Sequence, residues 1–441
     1  MSLNMRLLLF ATLLFCLKAT LCTAGDSPLP TSWTSQDAVR FALNNSPDAR
    51  SSQQRILGAR ADLQSATAAL YPKIGVSVEY TRTDTPMYSF GNILNQGVFD
   101  QRIDFNDPGV SDNLQFKTTA RYRLYSGGQT QAAIEAASAL EKAADFDLDA
   151  LHSTLGYEVV RAFYTIIQAE ETVGANISTL KAIEASLVVA QARYEEGDLL
   201  KTDLLNLEVQ QARARENLIQ AEHGLELARL GFLNLLGLEE RAVVLDTAGS
   251  VVQQTPQAPE ESNRAELRAM DARIEAAQAS LTQARAGFYP TVDTFLSYQL
   301  ERGLELDGSS DSWLGGLRLD YTLFDGKRTS AAVQRAHTDV QRLHEQRRKI
   351  RLAFTLEKET AVLALALAEE RIQVTDKMLT LARESVALSR ARFREGVILS
   401  SDLIDAENRL NDAEVRHAVA KAAQKIAVAD LRRCSGLPQF D

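Results

Sequence analysis

The longest regular pattern in the chain is a stretch of apolar residues at helical spacing. Between positions 140 and 194 they recur about every 3.6 residues, which is the period of an α-helix. The pattern starts after Gly127 and stops near Glu196. We therefore predict one helix of roughly 68 residues, about 100 Å long at a rise of about 1.5 Å per residue. Ordinary globular domains contain much shorter helices.

Four shorter segments alternate apolar and polar residues with a period of two, which is typical of β-strands. They lie at about 73–81, 113–125, 291–301 and 312–324. One face of the first segment is entirely hydrophobic and consists of Ile74, Val76, Val78 and Tyr80. The polar face of the second segment carries the cations Lys117, Arg121 and Arg123. Each predicted strand therefore has one apolar and one polar face.

The chain is an internal duplication. The hexapeptide at 192–197 (ARYEEG) corresponds to that at 391–396 (ARFREG), and this offset of 199 residues holds from Tyr122 to Gly237. We therefore divide the chain into a first repeat, 25–237, an irregular inter-repeat segment, 238–262, and a second repeat, 263–441. Each repeat is predicted to run from a helix through two strands into two long helices. The predicted long helices are 127–196, 199–236, 326–395 and 400–435.

The first 24 residues are predicted to be a signal peptide. A positive charge precedes the apolar run Leu7–Leu17, and small residues follow before Ala24, where we expect cleavage. A lipid-anchored start at Cys22 is the alternative, which the large residue before it disfavours. Cleavage leaves Cys434 as the one cysteine of the remaining chain. We therefore expect a protein without an intramolecular disulfide, in which Cys434 is a small packing residue.

Composition excludes several classes of protein. The 441 residues carry 48 basic and 58 acidic side chains, for a net charge of −10. Nucleic-acid binding is disfavoured because it requires a basic face. The five histidines lie in predicted helices without the spacing of a metal site, and neither a phosphate loop nor a nucleophile motif is present. The sequence therefore predicts no catalytic residues, no metal, no cofactor and no enzyme activity.

The four predicted strands are similar to those of outer-membrane barrels, because they have about ten residues, alternate and end in aromatic side chains. A sheet in lipid cannot leave its edges unpaired, because no water is present to bond the backbone. Four strands cannot close a barrel, since the smallest such barrels have eight, so several chains would have to pool their strands. Two alternatives remain open: a water-exposed sheet that caps a coiled coil, and a periplasmic adaptor or structural coiled-coil protein.

Three kinds of motif occur in both halves: strand starts, strand exits and helix-tip turns. They are Leu70-Tyr71-Pro72, Phe288-Tyr289-Pro290, Leu124-Tyr125-Ser126-Gly127-Gly128, Leu323-Phe324-Asp325-Gly326-Lys327, Tyr194-Glu195-Glu196-Gly197 and Phe393-Arg394-Glu395-Gly396. With these motifs the chain resembles the outer membrane efflux protein family, of which TolC is the type member. The resemblance covers essentially the whole chain after the signal peptide.

The resemblance implies an α+β membrane protein that is mainly α. It also implies a homotrimer. Twelve strands, four from each chain, would form one β-barrel in the outer membrane, and the long helices would continue this barrel as a periplasmic α-helical barrel. A periplasmic adaptor would dock on the helices and link them to an inner-membrane transporter. The implied function is that of a passive exit duct of a tripartite efflux pump or type I secretion system.

The resemblance also implies an acidic pore constriction at Asp402 and Asp405, just beyond the second tip turn. Three chains would place six carboxylates around one opening, an arrangement that attracts cations. The alternative is that both acids only stabilise the positive end of a helix. Asp402 has an acidic counterpart in the first repeat, Asp203, whereas Asp405 corresponds to Asn206. The charge of Asp405 is therefore expected to have a role beyond stabilising the N-terminal end of the helix.

The resemblance also implies a gate at the tips. In the type member, a Tyr and an Arg near the second tip bind an Asp near the first tip. In this chain the aspartate is present as Asp203, but the positions of the Tyr and the Arg hold Phe393 and Ile398. Their side chains can form neither a hydrogen bond from a hydroxyl nor an ion pair. We expect the gate to be held by packing, or by Asp203 pairing with Arg392 or Arg394. The gate residues are thus predicted to be Asp203, Asn206, Phe393 and Ile398.

The two tip turns match the positions at which the family contacts its adaptor. These positions are Gly197, Asp198, Leu199, Leu200, Gly396, Val397, Ile398 and Leu399. Leu and Ile at an exposed turn are expected where a partner covers them. Packing within the helical hairpins is the alternative explanation.

Overall fold

The computed structural model describes residues 30–239, 242–247, 249, 255–256 and 264–440. The predicted signal peptide lies outside these residues. In chain order the helices and strands are α1 Ser35–Asn45, α2 Pro47–Thr67, β1 Lys73–Thr83, α3 Pro86–Asn95, β2 Ser111–Tyr125, α4 Gln129–Glu195, α5 Lys201–Leu236, α6 Ala265–Arg285, β3 Thr291–Arg302, β4 Ser309–Asp320, α7 Arg328–Arg394 and α8 Ser400–Cys434. The predicted α+β fold, mainly helical and built from a tandem unit, is confirmed.

The two repeats have matching dimensions. Helices α4 and α7 contain 67 residues each, and α5 and α8 contain 36 and 35. At about 1.5 Å per residue, α4 and α7 are each about 100 Å long. A short 3-10 turn precedes β1 at Ala68–Leu70 and β3 at Ala286–Phe288. Both turns end just before the Tyr-Pro pair that separates helix from strand.

The four strands form one antiparallel sheet in the order β1-β2-β3-β4. Val78 lies opposite Phe116, which lies opposite Leu300, and Tyr298 lies opposite Trp313. The predicted apolar residues therefore share one face of the sheet, and they are exposed in the single chain. The opposite face carries the cations of β2 together with Lys73, since Lys73 pairs with Arg121.

The end of the fourth strand was predicted at residue 324, and this prediction is wrong. The strand ends at Asp320, whose partner in β3 is Thr291, the first residue of that strand. Residue 290 is a proline, which has no backbone N–H and cannot extend the ladder. Residues 321–324 therefore lie beyond the start of β3 and have no residues of β3 to pair with.

The loop between β1 and β2 contains a helix, α3, that the sequence pattern did not predict. Pro86 occupies its first turn, where proline is tolerated. The aromatic rings of Phe90, Phe99 and Phe105 pack against each other with centroids 4.4–6.1 Å apart. The side chain of Gln96 donates a 2.6 Å hydrogen bond to the carbonyl of Asp112 at the start of β2. The loop is thus folded back onto the end of the sheet.

Helix α4 is the centre of the helical part and contacts α1, α2, α5, α6 and α8. Its fully buried side chains include Phe163, which packs in one core with Phe232 of α5 and with Trp33. The backbone N–H of Trp33 donates to the carbonyl of Val244 at 2.8 Å. Residues 243–245 of the inter-repeat segment are therefore attached to this core. Helix α7 contacts α6 and α8 and leaves more of its surface exposed.

Candidate functional site at the helix tips

The two long hairpins turn through the same backbone geometry. Helix α4 is followed by Gly197 at φ +86° and α7 by Gly396 at φ +77°, a region that favours glycine. In the first tip the N–H of Asp198 donates to the carbonyl of Arg193 at 2.8 Å, and in the second Val397 donates to Arg392 at 2.9 Å. Both turns therefore end the long helix in the same way, and in each hairpin the return helix starts six residues after the long helix ends.

A small hydrophobic core joins the two hairpins at their tips. We call it the tip cluster, and its buried members are Ala190, Leu204, Leu207, Phe393 and Leu403. These residues come from α4, α5, α7 and α8, so the cluster holds all four helices together. Phe393 is only 1% exposed. The predicted gate residue Phe393 is thus a packing residue within one chain, and Ile398 packs partly against the same cluster.

Arg193 connects the two tips through polar contacts. Its guanidinium donates to the carbonyl of Phe393 at 3.1 Å and to that of Asp198 at 3.2 Å. Its Cζ also lies 5.7 Å from the centroid of the Phe393 ring, within the range of a cation-π contact. Sequence reasoning missed this residue and considered Arg392 and Arg394 instead. The available signal was the duplication, in which Arg193 is the counterpart of Arg392.

The carboxylate of Asp203 accepts a 2.7 Å hydrogen bond from the hydroxyl of Ser400, which is fully buried at the start of α8. Within one chain Asp203 therefore binds a hydroxyl of the second tip rather than Arg392 or Arg394. Ser400 was not predicted, because its counterpart in the first repeat is Lys201 and no motif marks it. Asn206, the remaining predicted gate residue, lies exposed on α5.

An ion pair between Arg390 of α7 and Glu407 of α8 connects the two helices of the second hairpin close to its tip. Nη2 of Arg390 donates to Oε2 of Glu407 at 2.7 Å, and the carboxylate of Glu407 is 2% exposed. The hydrogen bond to Glu407 raises the pKa of Arg390 above its ordinary value, so this guanidinium stays charged. A buried carboxylate with a bidentate partner keeps the second hairpin in one register.

Asp402 and Asp405 lie one turn apart on α8, and both side chains are exposed. Residues at this spacing share one face of a helix, so each chain presents a pair of acids beside its second tip. Asp402 also lies in the first turn of the helix, where its charge interacts favourably with the helix dipole.

The predicted adaptor-contact residues divide into three groups. Leu200, Val397 and Leu399 project from the turns with 71%, 70% and 62% of their surface exposed. Leu199 and Ile398 instead pack partly against the tip cluster. Gly197, Asp198 and Gly396 are exposed at the turns themselves. The end of each chain therefore carries a patch of aliphatic side chains that the chain itself leaves uncovered.

Two titratable groups outside the tips, Cys434 and His152, are uncharged at neutral pH because burial disfavours their charged forms. Burial raises the pKa of the Cys434 thiol to about 11, with the charge of Asp430 adding to the effect, so the thiol stays protonated at neutral pH. Burial lowers the pKa of His152, which is therefore neutral under the same conditions. Across the described ranges, no group of three or more His, Cys, Asp or Glu side chains is arranged to hold a metal ion.

Comparison with known proteins identifies relatives along nearly the whole chain. The model of the family described as outer membrane efflux protein matches residues 38–238 and 260–437. Protein CyaE of Bordetella pertussis is 26% identical over 415 residues, covering 91% of this chain and 83% of the relative. The pyoverdine export outer membrane protein OpmQ of Pseudomonas putida is 22% identical over 413 residues, covering 90% and 84%. The crystal structure of the Campylobacter jejuni CmeC outer membrane channel has a TM-score of 0.79 at 14% identity, covering 95% of this chain and 91% of that one.

Proposed function

The chain belongs to the outer membrane efflux protein family, and on this premise we propose that three copies of it form one exit duct, opened by a periplasmic adaptor and supplied by an inner-membrane transporter. The family consists of outer-membrane channel proteins rather than enzymes, and its members belong to efflux and secretion systems. Family membership therefore favours the channel over a periplasmic adaptor or a structural coiled coil.

The observation that carries the proposal is the sheet. Its apolar face is exposed in the single chain, and in the described part of the chain the outer edges of β1 and β4 pair with no other strand. In lipid those edges require partners. Three chains arranged in a ring supply them, because β4 of each chain can pair with β1 of the next, and the twelve strands close one barrel.

The tips are the proposed site of opening and docking. The aliphatic patch of Leu200, Val397 and Leu399 is the proposed contact with the adaptor, since apolar side chains at exposed turns are stabilised when a partner covers them. The tip cluster and Arg193 are proposed to hold the closed state by packing. Support comes from the burial of Phe393 and from the hydrogen bond between Ser400 and Asp203.

The duct proposal predicts an outer-membrane trimer. Purification from the detergent-extracted outer membrane should give one species of about three times the mass of a single processed chain, and this species should convert to monomer on heating. Mass photometry of the unheated sample, with the heated sample as its control, measures the conversion. A monomer in the soluble periplasmic fraction would contradict the proposal.

Asp402 and Asp405 are proposed to form the cation-selective constriction of the trimer. Asp402→Asn combined with Asp405→Asn is expected to lower the K⁺/Cl⁻ permeability ratio by about threefold or more, because it removes six charges around a narrow opening. Reversal potentials in planar bilayers under a salt gradient measure the ratio.

The control for this experiment changes the same number of charges away from the tip. Asp376→Asn with Glu384→Gln neutralises two exposed acids on α7 and is expected to leave the ratio close to that of the unmodified trimer. Equal permeability ratios for the two double variants would show that Asp402 and Asp405 only stabilise the start of α8.

A further inference from the structure

The polar face of the sheet carries an excess of positive charge at the end nearest the long helices. An open cavity of about 630 Å³ on this face is lined by five cations and two carboxylates. We call the five cations the cationic belt, and they are Lys73, Lys117, Arg121, Arg123 and Arg318. The carboxylates are Asp293 and Asp320. The lining of this cavity therefore carries three net positive charges in each chain, although the whole chain has a net charge of −10.

Four members of the belt form no ion pair of 4.0 Å or less in the described part of the chain: Lys73, Lys117, Arg121 and Arg318. Arg318 lies over the ring of Phe295, 5.9 Å from its centroid, whereas Arg123 binds Asp293 at 2.9 Å. Lys73 and Arg121 are also direct neighbours across the β1–β2 ladder. Like charges directly opposite each other destabilise a sheet. Folding alone therefore does not account for this arrangement.

The remaining charges on the same face are distributed unevenly along the strands. At the far end, Glu79 lies opposite Gln115, and Gln115 lies opposite Glu301. The cations are thus concentrated between the helices and the middle of the sheet. Lys117 and Arg123 are six residues apart on β2, which corresponds to about 20 Å along the strand. The belt is longer than one small anion and matches an extended chain with several negative groups.

We propose that the cationic belt is a binding site for acidic polypeptide cargo during its passage from the helical part into the barrel. The inference rests on the proposed function, because the trimer brings three belts around one lumen, and the three cavity linings together carry nine net positive charges. Carboxylates of an extended peptide would bind Lys73, Lys117 and Arg121 and relieve the repulsion between Lys73 and Arg121. Many weak exposed contacts give a site that retains cargo briefly and releases it, as conduction requires.

The test uses the reconstituted trimer in a planar bilayer, with poly-L-glutamate of about ten residues, long enough to span the belt, added on the barrel side. The expected result is block of the ion current at a concentration that rises with ionic strength. Poly-L-lysine of the same length is expected to block weakly. Monomeric glutamate at the same carboxylate concentration is also expected to block weakly, and equal block by it would overturn the assignment to a polymeric cargo.

The belt variant carries Lys73→Gln, Lys117→Gln and Arg121→Gln, which removes nine charges from the trimer. We expect the half-blocking concentration of poly-L-glutamate to rise about tenfold or more, since each exposed contact is individually weak. The matched control, Lys142→Gln with Lys181→Gln and Lys349→Gln, removes as many charges from exposed helical positions and should leave block unchanged. A further variant with Lys73→Arg, Lys117→Arg and Arg121→Lys keeps the charges and should be blocked like the unmodified trimer.

Unaltered block in the belt variant would overturn the inference while leaving the duct intact. Failure of the unmodified chain to form conducting trimers would instead contradict the proposed function. If the belt variant does not assemble, block by poly-L-glutamate is compared between the unmodified trimer and the single variant Lys117→Gln. Lys117 lies opposite Ser77 and does not belong to the like-charged pair of Lys73 and Arg121. A single variant with unchanged block would likewise count against the belt.

Discussion

Val78→Arg is expected to prevent the chain from assembling in the outer membrane. Val78 is the sixth of the 11 residues of β1, lies on the apolar face of the sheet and is 65% exposed in the single chain. An arginine at the middle of the lipid-facing side of a barrel costs about 2–4 kcal/mol. A trimer carries the substitution three times, so the total cost of about 6–12 kcal/mol is comparable to the whole stability of an ordinary domain. The yield of heat-modifiable trimer in the outer-membrane fraction measures the effect.

The neighbouring residue on the same strand provides the control. Glu79 points to the polar face, where it lies opposite Gln115, so Glu79→Arg is expected to assemble with nearly the yield of the unmodified chain. The two variants place the same side chain one residue apart and on opposite faces. Equal yields of trimer from both variants would show that the apolar face does not contact lipid.

Phe393→Ala is expected to loosen the closed tips and raise the resting conductance of the channel. Truncation of a buried phenylalanine costs about 3–5 kcal/mol, and here it also removes the ring on which the Arg193 guanidinium rests. The loss falls on the cluster that joins α4 and α5 to α7 and α8. Single-channel recording measures the conductance, and hydrogen exchange of segments 187–207 and 390–407 reports local opening.

Leu399→Ala is the matched control for the tip. Leu399 also belongs to the second turn but is 62% exposed, so its truncation should leave both conductance and hydrogen exchange nearly unchanged in the absence of adaptor. Phe393→Leu should fall between the two, since it keeps part of the buried volume. If Leu399→Ala raised the conductance as much as Phe393→Ala, packing within the tip cluster would not be what holds the tip closed.

Local rules made much of the fold predictable from the sequence. The 3.6-residue period and the glycine after each long helix indicate where α4 and α7 end, because glycine accepts the positive φ that stops a helix. The period-two pattern assigns Val78 and Lys117 to opposite faces of the sheet for the same local reason. Family resemblance then predicted the channel, which the family match shows.

The features that sequence reasoning missed depend on contacts between distant residues. Helix α3 is held by aromatic contacts and by Gln96, whose partner is 16 positions away. The hydrogen bond from Ser400 to Asp203 spans 197 positions. The duplication offered two equivalent arginines, Arg193 and Arg392, and which of them crosses to the other tip depends on how the hairpins pack. Spacing along the chain contains no information on that choice.

The equal length of α4 and α7, 67 residues each, restricts how this chain can change size in evolution. Removal of seven residues from one of the two helices would withdraw its turn by about 10 Å relative to the other and separate Arg193 from Phe393. The return helices α5 and α8, at 36 and 35 residues, would lose their register with the shortened helix as well. A viable change in length therefore requires matched insertions or deletions in four separate places of the gene.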